Sequence, residues 1–105
     1  FRLGIDETDF KACGTRVIQA LTAAATTESG WTIASDNHEG VRVSVAPDFG
    51  DGWFLLRLSL HDPLLPLNIE SRQAGGVKRI ARRLHGMLAP MEGVEQTSLG
   101  KLVSP

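Results

Sequence analysis

Cysteine is almost missing from this sequence: the chain holds one, Cys13. A single thiol excludes an intrachain disulfide framework and a multi-cysteine zinc site. Charge of one sign is missing as well. Eleven basic and twelve acidic residues leave a formal net charge of −1, so no global field favours nucleic acid or an anionic membrane. No apolar run reaches the roughly 20 residues that cross a bilayer, and the first residues lack the basic, apolar and small-residue order of a signal peptide. The three histidines, His38, His61 and His85, stand apart at no metal-ligand spacing. No internal repeat and no low-complexity tract occurs. These absences lead to the expectation of a cytoplasmic protein with no nucleic-acid, membrane or metal partner.

What is present is a globular composition, 42% hydrophobic and 22% charged over 105 residues. That suffices for one domain with a modest core and leaves little room for a deep, closed active site. The chain opens on Phe1-Arg2-Leu3-Gly4-Ile5-Asp6 without an initiating Met, from which a piece of a longer protein is expected.

In that opening, Phe1, Leu3 and Ile5 alternate with Arg2, Gly4 and Asp6, the two-residue period of a half-buried strand. Phe10, Cys13, Val17, Ile18, Leu21, Ala24 and Ala25 then recur at helical spacing. The pattern predicts a helix from about Thr8, as N-cap, to Thr26. Gly14, near its apolar stripe, would let the helix approach a sheet closely, and Cys13 reads as a small core residue. Residues 27–40 read as a connector anchored by Trp31 and Ile33. Val41, Val43 and Val45 alternate with polar residues, and after a Gly/Asp/Pro turn a second strand runs from Trp53 to Ser59, which predicts a hairpin. Leu64 to Glu70 reads as a further strand, with Pro66 pointing to an edge or an irregular start. Val77, Ile80, Ala81, Leu84, Met87 and Leu88 predict a second amphipathic helix over about 74–88. Residues 1–88 thus form the domain, and 89–105 read as a flexible tail. The order β-α-β-β-β-α implies an α+β, two-layer sandwich: a mainly antiparallel four-stranded sheet with two helices on one face.

Chemistry concentrates in Trp53-Phe-Leu-Leu-Arg57-Leu-Ser59-Leu-His61-Asp62-Pro63. The strand period puts Trp53, Leu55, Arg57 and Ser59 on one face, and the strand runs into a short turn. Arginine presents a planar fork that matches phosphate bidentately, a serine two residues on adds a hydroxyl donor, and a tight turn can aim backbone N–H groups at one anion. From spacing alone the commoner arrangement is an arginine paired with a carboxylate and a serine that caps a turn. His61-Asp62 has the residue types of a general base, yet no nucleophile pattern accompanies it. Lys78, Arg79, Arg82 and Arg83 on the second helix read as a solvated face that also suits the helix dipole.

Glu39-Gly-Val-Arg-Val-Ser-Val45, Gly52-Trp-Phe-Leu-Leu-Arg-Leu-Ser-Leu-His-Asp-Pro63 and Leu67-Asn-Ile-Glu-Ser71 together resemble the C-terminal domain of the α-D-phosphohexomutases, the phosphomannomutase/phosphoglucomutase family. That domain, TBP-like in fold, carries a (D/E)GVRV strand, a GW hairpin turn and an R-x-S-N-T-x-P phosphate loop. The resemblance spans about residues 1–88 and is most specific over 39–71. It implies a lid that grips the phosphate not being transferred while a phosphoryl group moves between C1 and C6 of a hexose. The intact enzyme, an isomerase and intramolecular phosphotransferase of carbohydrate metabolism, would use Mg²⁺ and a hexose bisphosphate. Its phosphoserine, metal-binding and sugar-reading loops lie in preceding domains, so this chain alone would not catalyse. The implied phosphate-binding residues are Arg57, Ser59, Leu60 and His61. Leu60 stands where the family has Asn and offers only its backbone N–H. His61 stands where the family has Thr, and its imidazole donates best when protonated. A stand-alone module that binds phosphosugars or another protein, without catalysis, is the alternative.

Overall fold

Each stretch of two-residue alternation becomes a strand, and each apolar stripe at helical spacing a helix. The computed structural model describes residues 1–5, 9–34, 40–59, 62–91 and 93–103. β1 spans Arg2–Ile5 and buries Leu3 and Ile5 while Arg2 faces out. α1 spans Phe10–Thr27 and buries Cys13, Val17, Leu21 and Ala25, one residue per turn along one stripe. The side chain of Asp9, rather than the expected Thr8, caps it: its Oδ1 accepts the Ala12 N–H at 3.1 Å, while Thr8 lies outside the described residues.

Four strands then meander: β2 (Trp31–Ile33), β3 (Gly40–Val45), β4 (Gly52–Arg57) and β5 (Leu64–Ser71). α2 spans Gly76–Leu88, β6 spans Val94–Glu95 and α3 spans Thr97–Val103. Among the described residues the result is an α+β fold with three helices and one antiparallel sheet of six strands, in the order β2-β3-β4-β5-β1-β6. The first strand therefore sits beside the last strand of the meander, and α1 carries the chain back to the far edge.

The expected four-stranded sheet is corrected to six. β2 is three residues long, too short for its period to show, and it is recruited because Trp31 is buried and packs edge-on against Phe54, ring centroids 5.0 Å apart. β6 is two residues long and owes its place to pairing with Gly4 and Ile5. The segment 89–105, read as a tail, contributes β6 and α3, and Leu99 is fully buried. Pro66 does not mark an edge: β5 lies between β4 and β1. The last β4 pairing is Leu56 with Leu67, so the missing N–H of Pro66 falls where that ladder has ended and costs no bond.

One face of the sheet carries the core. Val41, Val43, Phe54, Leu56, Leu65 and Leu67 point there and meet Leu21 of α1 and Ile80, Leu84 and Leu88 of α2. Gly14 lets α1 descend onto this face, because a Cβ there would run into the side chains of Leu58 and Leu65. The opposite face is open, and along β4 it displays Trp53, Leu55 and Arg57.

Leu99→Ala should lower unfolding free energy by about 2–5 kcal/mol, the usual cost of a buried leucine. Urea unfolding checks this, and an unchanged midpoint would mean that α3 adds nothing to the core.

Candidate functional site

β4 delivers the candidate site by its alternation. Phe54 and Leu56 are fully buried, so Arg57 must project from the open face. Its cross-strand neighbour on β3 is Gly40. Glycine is required there, since a Cβ would strike the Leu56 carbonyl and the Arg57 Cα. On the other side the register carries on from the Leu56–Leu67 pair to set Arg57 beside Pro66, whose partner on β1 is Arg2. Neither flanking residue on β3 or β5 offers a carboxylate.

Arg57 is exposed and makes no hydrogen bond, ion pair or ring contact among the described residues. The commoner fate of a strand-end arginine, pairing with a carboxylate, is therefore not what the structure shows. Ser59 is half-buried, and its Oγ accepts the Asp62 N–H at 3.2 Å. A hydroxyl that accepts in this way keeps its own proton free to donate. Ser59 does cap a turn, as spacing suggested, and it retains a donor while doing so.

The far side of the turn is tied down. The Leu64 N–H donates to the Asp62 carbonyl at 2.8 Å, and the Ile5 N–H donates to the Pro63 carbonyl at 2.8 Å. The loop is thus anchored on β4 at one end and on β1 at the other. Leu60 and His61, the other two candidate contacts, lie outside the described residues. Pro63 also borders a hollow of about 540 Å³ with Gly4, Val94 and Glu95.

The remaining candidates have structural duties or none. Cys13 is fully buried in the core. In the basic helix, Arg79 donates to the Asp48 carbonyl, and Arg83 pairs with Glu28 while lying over the Phe49 ring at 5.2 Å. Two of the four cations thus fasten α2 to the β3–β4 turn and to the end of α1. Among the described residues no group of three His, Cys, Asp or Glu side chains gathers to hold a metal, and no helix is long and apolar enough to cross a membrane.

Ser59→Ala removes the acceptor for the Asp62 N–H. Hydrogen exchange at the Asp62 amide should quicken by about two- to tenfold, in line with a net hydrogen bond of about 0.5–1.5 kcal/mol. An unchanged rate would show that the bond does not order the turn.

No protein-family model matches this chain, and no curated protein matches it either. Its chemistry is to be read from Arg57, Ser59 and the turn they begin.

Proposed function

We propose that this chain is the closing domain of a phosphohexomutase, which grips the phosphate of a hexose phosphate that is not being transferred. The observation that carries the reading is the exposed guanidinium of Arg57 at the end of β4, without a partner among the described residues, followed two residues later by a hydroxyl that accepts the Asp62 N–H and donates to none of them. An unpaired guanidinium offers two parallel N–H donors to a phosphate, and a charge-assisted bidentate contact is among the stronger hydrogen-bonded interactions. The resemblance of residues 39–71 to the family's C-terminal domain supports the same assignment.

The role suits the architecture. A phosphate that does not react is a handle. Binding it supplies orientation at the distant reacting carbon, where the enzyme gains rate from placement. Arg57 sits on a strand whose inner face is locked in the core, so its Cα is held by the sheet and only the side chain adapts. Beyond the turn, the Pro63 carbonyl accepts the Ile5 N–H, which ties the chain back to β1. A small domain that presents such a grip can close over a cleft, exclude water and reopen to release product.

The phosphoryl transfer between C1 and C6 belongs to groups outside this chain. The Mg²⁺ that the family uses finds no fitting cluster among the described residues, and no step is assigned to it here. The sugar hydroxyls are read elsewhere too, so the choice among mannose, glucose and glucosamine phosphates lies outside Arg57 and Ser59.

The test is a titration of the chain with glucose 6-phosphate, followed by NMR, with glucose as the neutral control. Resonances of Arg57 and Ser59 should shift saturably with the phosphorylated sugar and stay still with glucose. Arg57→Ala should weaken binding by about 2 kcal/mol or more, about thirtyfold in Kd. In an enzyme that carries this domain, the same change should lower kcat/KM by about 2–4 kcal/mol. Equal response to glucose, or unchanged binding by Arg57→Ala, overturns the proposal.

A further inference from the structure

Arg57 occupies one end of the open face, and the other end is built differently. There the cross-strand row is Ser44, Trp53 and Glu70, contributed by β3, β4 and β5. Arg42, two residues back on β3, lays its guanidinium over the Trp53 ring, 4.4 Å from the centroid. These side chains, with Asp51 and Arg72, line a pocket of about 420 Å³. Trp53 and Arg57 are four residues apart on one strand, about 13 Å, so this pocket is separate from the phosphate grip.

The pocket's floor is held from below. Ser71 Oγ donates to the Gly50 carbonyl and, at 3.2 Å, to that of Asp51, and it accepts the Gln73 N–H at 3.0 Å. The Arg72 N–H donates to the Asp51 carbonyl at 2.9 Å, and Gln73 Nε2 donates to the Pro47 carbonyl at 2.6 Å. The backbone that carries Asp51, Glu70 and Arg72 is therefore cross-linked to the β3–β4 turn. Their side chains are not: the carboxylates of Asp51 and Glu70 and the guanidinium of Arg72 make no hydrogen bond or ion pair among the described residues. Asp51, Glu70 and Arg72 thus stand on a braced backbone beside an aromatic ring, with no partner for their side chains among the described residues.

Their signs decide the class of ligand. Arg42 and Arg72 balance Asp51 and Glu70, so a net charge of either sign gains nothing there. Adjacent hydroxyls do gain: one accepts from a guanidinium while its neighbour donates to a carboxylate, so a single diol engages groups of both signs. We infer that this pocket is a second binding site, which takes a neutral sugar ring. The inference rests on the pocket's own residues and not on the reading of the Arg57 end.

The test uses the whole chain and D-mannose or D-glucose without phosphate, at up to about 50 mM, well past a millimolar Kd. NMR should show saturable shifts of the Trp53 indole N–H and of the Gly52 and Ser71 amides. Glu70→Ala and Arg72→Ala remove exposed side chains and should leave the core resonances in place. Each should raise the sugar's Kd by about tenfold or more, as for a lost charged hydrogen bond. Absence of a saturable shift overturns the assignment, as does unchanged binding by both variants. Inorganic phosphate that moves the same Trp53, Gly52 and Ser71 resonances overturns the neutral class. A loss of phosphate response at Arg57 with these shifts intact would instead count only against the phosphate grip.

Discussion

The alternation of β4 is the constraint on which both faces of this molecule depend. Phe54 and Leu56 are fully buried beneath the helices, and Leu58 reaches toward Gly14 of α1. Those three positions set the strand's register, and Trp53, Leu55 and Arg57 are outward because the others are inward. A slip of one residue would send Arg57 into the core and Phe54 into water, a reversal no single contact could offset. The outward Arg57 at one end and the Trp53 pocket at the other are therefore consequences of core packing. They are also coupled in geometry: nothing can rotate one outward position of β4 without turning the rest.

Different contacts hold the two ends of the sheet. At the Trp53 end the β3–β4 turn is fastened by Ser71, Gln73 and Arg79, and Arg83 adds its contacts to Glu28 and Phe49. At the Arg57 end the described bonds are Ser59 to Asp62, Asp62 to Leu64, and Pro63 to Ile5.

Much of this was legible in the residues. The Val41-Val43-Val45 alternation gave β3, Trp53 onward gave β4, and the stripes of α1 and α2 appear where their periods place them, within about two residues. The short elements were not legible. Three residues of β2 and two of β6 carry no period, and they form only because neighbours across the sheet offer ladder bonds. α3 is recruited through one fully buried residue, Leu99, in a segment rich in Gly, Ser and Thr. Asp9 and Thr8 are both good caps by chemistry, and only the trajectory of the first turn chooses Asp9. Pro66 was read by a rule about ladder bonds that applies where a ladder exists, and beside Arg57 that ladder has already stopped.

The site divides along the same line. That Arg57 faces outward follows from a period of two, although β4 ends at Arg57 and not at Ser59 as the alternation suggested. That Arg57 has no carboxylate partner among the described residues does not follow from it, because its neighbours Gly40 and Pro66 come from strands whose register no local pattern states. The pocket around Trp53 lies further still from sequence reasoning: Arg42, Asp51, Glu70 and Arg72 come from three strands and a turn, and none stands in a recognisable motif with Trp53. Side chains that gather across strands without a local signature are visible only after the register is known. Once it is known, their burial and pairing state becomes the informative quantity. A charged group already engaged is part of the scaffold, as Arg83 is. A charged group held on a fixed backbone without a partner among the described residues, as Glu70 and Arg72 are, is better placed to meet a ligand, because the cost of ordering that backbone has already been met by folding.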